Sequence, residues 1–289
     1  MRAMVLALAL CASQSVAAQF DFGRILNKAI DTGRKLQEAN REFTTDDEIE
    51  LGNGITAGFL GAAPLADDQN LQRYVNRVGK WLAMHSERPE LPWNFGVVRT
   101  ETINAFAMPG GTVLVTSGLV RRLANESELA GVLAHEIAHV VKKHQLAAIQ
   151  SSLNSDVLAG FGKEAAGQAI GRRGGDVMGL KSMAANAGVE ALKNGVFLRP
   201  LDRGMEYEAD RMAVVIAARS GYDPYGLVSV MQMLAQTKGD GSGASLFDTH
   251  PSPTDRMGEL EGFVPGALER YASQPQLEGR FRQALGASR

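Results

Sequence analysis

The segment His135-Glu136-Ile137-Ala138-His139 carries two imidazoles four residues apart, with a carboxylate directly after the first. Residues four apart on a helix share a face, so both rings can reach a single metal ion. Glu136 sits about 100° further round, close enough to meet a water on that ion without ligating it. Zinc in such a place lowers the pKa of water towards about 7, and a carboxylate can take its proton as it attacks a peptide carbonyl.

Catalytic zinc takes three protein ligands and keeps one position for water. The third ligand must come from elsewhere, and His85, His144, His250 and the acids are the candidates. His144 is five residues past His139, about 140° round a continuous helix, and is expected to point away. The segment Glu206-Tyr207-Glu208-Ala209-Asp210 offers Glu206 and Asp210 on one face of a second helix. One suits the metal and the other suits the imidazole of a ligand; spacing does not say which.

The elements that must position these groups are legible from periodicity. Thr44-Thr45-Asp46-Asp47 reads as a helix start, and Asp67 to His85 is an amphipathic helix with Leu71, Val75, Val78 and Leu82 on one side. After Pro89, Trp93 to Val98, Ile103 to Met108 and Thr112 to Thr116 read as short strands, the last two joined by Pro109-Gly110-Gly111. Asn125 then caps a long helix, with Glu128 completing a capping box, and the apolar pattern runs through to about Ile149. Ser151 to Gly195 is rich in Ala and Gly and reads as loose helix over the cleft. A further helix is expected from Asp202 to Ser220, followed by one carrying Leu227, Val230, Met231 and Leu234. A loop from Lys238 to Pro253 precedes a charged helical tail. The implied fold is α+β, mainly helical, with a small sheet beside the metal helix.

Composition sets the class. The chain has 289 residues, 45% of them hydrophobic, enough for a sizeable core. A net charge of -2 does not suggest a nucleic-acid partner. Arg2, the apolar run Ala3 to Ala12 and the small residues Ser15 to Ala18 read as a secretion signal, cleaved near Ala18. Residues 19–45 then form an N-terminal amphipathic helix, 46–260 the catalytic domain and 261–289 the tail. The single cysteine, Cys11, lies in the signal, so the exported chain has neither disulfide nor thiolate. No later segment has the roughly 20 apolar residues that a membrane span requires.

From about Asp46 to Met257 the sequence resembles a family of zinc metallopeptidases that includes HtpX, the CAAX prenyl endopeptidases and the mitochondrial protease Oma. It is most similar to the periplasmic BepA and LoiP branch. Three separated motifs carry the resemblance: Asn104-Ala105-Phe106-Ala107-Met108-Pro109-Gly110-Gly111, the helix from Glu128 to His139, and Glu206-Tyr207-Glu208-Ala209-Asp210. The resemblance implies a zincin-type domain of the gluzincin kind, with one zinc ion per chain. It implies Glu206 as third ligand and Asp210 as partner of a ligating ring. It also picks out His250-Pro251-Ser252-Pro253-Thr254-Asp255-Arg256, with His250 as a fourth ligand that keeps the site latent. Arg256 would anchor that loop or steady an oxyanion. The strand containing Asn104, Ala105, Phe106 and Ala107 is expected to bind peptide substrate along its edge. The expected substrates are misfolded or unassembled envelope proteins, met in the periplasm or in peripheral contact with the membrane and its outer-membrane assembly machinery. The alternative is a non-catalytic chaperone or binding protein whose zinc site His250 closes. HtpX and the prenyl endopeptidases have membrane spans, which this sequence lacks.

Overall fold

The structure is a computed structural model and describes residues 43–154, 201–236, 250, 252–263, 266, 268–271 and 273–286. The expected signal, nearly all of the 19–45 helix, the Ala/Gly-rich stretch past Asn154 and the loop from Lys238 to residue 249 lie outside the described residues.

Helix α1 (Thr45–Ala62) starts where the sequence signals it: the Thr44 hydroxyl accepts from the Asp47 N–H, and the Asp47 carboxylate accepts from the Thr44 N–H. Helix α2 (Gln69–Ala83) is capped by Asp68 and buries Leu71, Val75, Val78 and Leu82. Three strands follow, β1 (Asn94–Val98), β2 (Ala105–Met108) and β3 (Thr112–Thr116). They form a mixed sheet in the order β1-β3-β2, with β1 parallel and β2 antiparallel to the central strand. The β2–β3 turn places Gly110 at φ 78°, a left-handed conformation natural to glycine, and a Cβ there would lie 2.6 Å from the backbone of Ile49. That contact lets α1 rest against the turn.

A short helix α3 (Ser117–Val120) leads to α4 (Glu126–Val141) and α5 (His144–Asn154). The single helix expected from Asn125 to Ile149 is therefore two. Lys143, at φ 58°, breaks it in the left-handed region, a conformation with no glycine to announce it. Its ammonium lies 3.1 Å from Glu48 of α1, so a long-range ion pair accompanies the bend. The remaining elements are α6 (Arg203–Arg219), α7 (Gly226–Gln236), α8 (Pro253–Glu261), a 3₁₀ turn at Glu269–Tyr271 and α9 (Glu278–Ala284). No helix among the described residues is long and apolar enough to cross a membrane.

Helix α4 is the axis of the fold and is buried from Glu126 to Val140. Burying Leu129, Leu133 and Ile137 contributes about 1.5–3 kcal/mol each. Its N-terminus is held from two sides. The Asn125 side chain accepts from the Glu128 N–H, and the Glu128 carboxylate reaches back to the N–H of Ala124, one residue before the cap. Glu126 accepts from the hydroxyls of Tyr74 and Tyr222 at 2.6 and 2.7 Å and pairs with Arg280 of α9. Phe281 of the same tail helix is fully buried in the main core.

Helix α7 lies so close to α4 that a Cβ on Gly131 would stand 2.6 Å from the backbone nitrogen of Leu227. Gly131→Ala is expected to destabilise the protein by about 1–3 kcal/mol through forced separation of the two helices. Urea unfolding measures this, and an unchanged midpoint would mean that the contact yields freely.

Candidate metal centre

His135 and His139 stand one turn apart near the end of α4 and point their Nε2 atoms at a common place, 2.9 Å from each other. Glu206 projects from the first turn of α6 into the same place. Its carboxylate oxygens lie 3.6 Å from each of the two Nε2 atoms. His250 brings its Nε2 to 3.8 Å from Glu206. One ligand atom from each of these four residues falls within 4.8 Å of all the others, the one such cluster among the described residues.

The donor set fits a tetrahedral zinc ion. Bonds of about 2.0–2.1 Å put neighbouring ligand atoms roughly 3.3 Å apart, and the observed separations bracket that value. Glu206 supplies a second observation. Both its carboxylate oxygens are buried and neither has a hydrogen-bond partner among the described residues. A carboxylate in that condition is costly unless a cation completes it.

The His135 ring is held from behind. His135 Nδ1 is 2.9 Å from Asp210, one helical turn beyond Glu206 on α6. Asp210 is gripped in turn by Arg256 of α8, whose Nε and Nη2 donate to the two carboxylate oxygens at 2.8 and 2.5 Å. Arg256 is 4% exposed and Asp210 1%, so this is a buried pair and not a surface bridge. Arg256 Nη1 also lies 3.7 Å from Glu206. Burial alone would raise the Asp210 carboxyl, but Arg256 and His135 outweigh it and hold the group well below the usual range. Burial and the Arg256 charge push His135 down, yet the Asp210 and Glu206 carboxylates beside it carry it up to about 9. Burial, followed by the neighbouring His135, His250 and His144 rings, drives His139 well below its ordinary value. Glu206 is raised by burial and lowered further by His250, His135 and Arg256, ending below the ordinary carboxylate value.

Glu136 is 3% exposed on the adjacent face of α4. Burial lifts its carboxyl to about 7, with Glu206 adding to the rise and His135 and Arg256 opposing it. Beside it, Ala105, Leu119, Val132, Val230 and Met231 line an apolar pocket that His135, Glu136 and Arg256 also border. Strand β2 pairs with β3 on one side, and Asn104, Ala105, Phe106 and Ala107 are all buried.

The structure thus brings together His135, Glu136, His139, Glu206, Asp210, His250 and Arg256 from three separate stretches of chain. His144 departs from expectation. It is buried, with Nδ1 2.9 Å from His139 Nδ1, because the bend at Lys143 turns α5 back towards the site. The rotation argued for a continuous helix does not survive that bend. His85 lies elsewhere, its ring against Trp81.

Residues 69–264 match peptidase family M48. The chain is 31% identical over 229 residues to the beta-barrel assembly-enhancing protease of Escherichia coli, covering 76% of this chain and 44% of that protein. It is 28% identical to the metalloprotease YcaL of the same organism, over 88% of this chain and 93% of the other. It is also 31% identical to the mitochondrial metalloendopeptidase OMA1 of Schizosaccharomyces pombe, over 67% of this chain and 53% of that one. The chain therefore spans less than half the length of the beta-barrel assembly-enhancing proteases it matches.

Removing one member of a buried ion pair strands the other. Arg256→Ala is expected to destabilise the metal-free protein by about 3–5 kcal/mol, read from chemical unfolding in the presence of a chelator. A loss under 1 kcal/mol would mean that water reaches Asp210 and the pair is not a structural clasp.

Proposed function

The chain belongs to peptidase family M48, and from that membership and the geometry of the site we propose that it is a zinc-dependent endopeptidase acting on unfolded or unassembled proteins of the cell envelope. The observation that carries the reading is the buried Glu206 carboxylate, lacking hydrogen bonds and facing two imidazole nitrogens, with Glu136 on the next face of the same helix.

His135 Nε2, His139 Nε2 and a Glu206 oxygen would hold the ion. A bound zinc ion supplies Lewis acidity, making water acidic near pH 7 and polarising a scissile carbonyl. Glu136 takes a proton from the attacking water onto a carboxylate oxygen and passes it to the leaving amine nitrogen as the C–N bond breaks. Asp210 keeps the His135 ring oriented through Nδ1, and Arg256 keeps Asp210 ionised and in place. An extended substrate would lie along β2, where Ala105 and Ala107 are small enough for a second backbone to approach.

The substrate class rests on the names of the relatives, among them a protease that enhances beta-barrel assembly, and on the reading of the first 18 residues as a secretion signal. Both support work outside the cytoplasm, in the periplasm, on protein clients. His250 supports a resting state in which the site is closed, since its Nε2 already stands at the cluster.

Glu136→Gln should retain zinc at wild-type stoichiometry and lose about 10²–10⁴-fold in the cleavage of casein. Loss of zinc along with activity would instead make Glu136 a ligand. His250→Ala should cleave casein faster than the wild type at unchanged zinc content, as measured by initial rates and metal analysis. Slower cleavage would make His250 part of the working site. A zinc-loaded wild type that binds unfolded protein and never cleaves it would leave the chaperone reading standing.

A further inference from the structure

Two imidazoles of the cluster carry different supports. Behind His135 stand Asp210 and Arg256. Behind His139 stands a second assembly that the proposed chemistry does not use. His139 Nδ1 lies 2.9 Å from His144 Nδ1, and His144 Nε2 lies 3.3 Å from Glu208 Oε2. Glu208 Oε1 is in turn 2.7 Å from the Lys142 ammonium.

The direction of the hydrogen bonds follows from counting protons. A neutral imidazole has one N–H. If His139 offers the lone pair of Nε2 to a metal, its hydrogen is on Nδ1. The facing Nδ1 of His144 must then be the acceptor, which puts the hydrogen of His144 on Nε2, where the Glu208 carboxylate accepts it. Each tautomer is set by the next group, and the chain ends on a carboxylate held by a cation.

From this geometry we propose that His144, backed by Glu208, is the positioning residue for His139, fixing the ring in the tautomer that presents Nε2 to the metal. The inference rests on the reading of His139 as a zinc ligand. It makes the two supports parallel: Asp210 and Glu208 come from the same helix, α6, and each meets a cation from another element. The bend at Lys143 is what makes the second support available. Its left-handed backbone starts α5 at His144, and the Lys143 ammonium is tied to the buried Glu48. In a continuous helix, His144 would lie on another face.

Zinc affinity, measured on the full chain by competition with a chromophoric chelator, tests the assignment. His144→Ala is expected to bind zinc about 10–100-fold more weakly, on protein shown to be folded by circular dichroism. His144→Gln, whose amide can accept from His139 and donate to Glu208, should recover most of the loss. Glu208→Gln should cost less than His144→Ala, because Glu208 is 44% exposed and water can replace it. Nitrogen-15 spectra of the zinc-free protein should place the single His139 hydrogen on Nδ1 in the wild type and show a mixture of the two neutral tautomers in His144→Ala. Wild-type zinc affinity in His144→Ala overturns the proposal, as does a loss that His144→Gln fails to restore. A wild type that binds no zinc removes the ligand reading itself, and with it this inference; tight wild-type binding unaffected by His144→Ala removes the inference alone.

Discussion

Ionised carboxylates in an apolar interior are the constraint around which this molecule is arranged. Glu48, Glu126, Glu206 and Asp210 are all less than 3% exposed. A charge in such surroundings costs several kcal/mol unless partners replace its water. Glu48 has Arg88 and Lys143, Glu126 has two tyrosine hydroxyls and Arg280, and Asp210 has Arg256 and His135. Glu206 is treated differently. Its oxygens are ringed by nitrogens of His135, His139, His250 and Arg256 at 3.6–3.8 Å, too far for hydrogen bonds and suited to a small ion between them.

The compensating pairs also hold the scaffold. Glu126 joins α2, the segment after α6 and the tail helix α9 at the start of α4. Glu48 joins α1 to the segment before β1, through Arg88, and to the bend after α4, through Lys143. Between these two anchors α4 has little freedom to slide, and the close approach of Gly131 to α7 fixes its distance from the neighbouring helix. His135 and His139 therefore occupy defined positions before any ion arrives. Preorganisation of this kind lowers the conformational cost of binding.

Helix α6 contributes a cluster member, Glu206, the carboxylate against the His135 ring, Asp210, and the carboxylate against His144, Glu208. Packed against α4, it turns two local motifs into one site. The apolar pocket beside Glu136 and the neighbouring strand β2 complete the surroundings in which a peptide would be held. Of the four residues in the cluster, His135, His139 and Glu206 thus sit on helices braced by core packing.

Much of this is written in short-range pattern. The spacing of His135, Glu136 and His139, the caps at Thr44 and Asn125, the short apolar runs of the strands and the turn at Gly110 all depend on residues a few positions apart, and a local rule reads them directly. Local spacing also put Glu206 and Asp210 on one face, but it left open which of them meets the metal and which holds a ring. Tertiary structure gives them different neighbours: the packing of α6 against α4 sets Glu206 beside two Nε2 atoms and Asp210 beside an Nδ1 atom. It also decided the fate of His144. The bend at Lys143 carries no glycine or proline to announce it and is accompanied by an ion pair to Glu48, 95 positions earlier in the chain. A rotation counted along a helix cannot register a partner that distant, so the ring expected to turn away stands against His139.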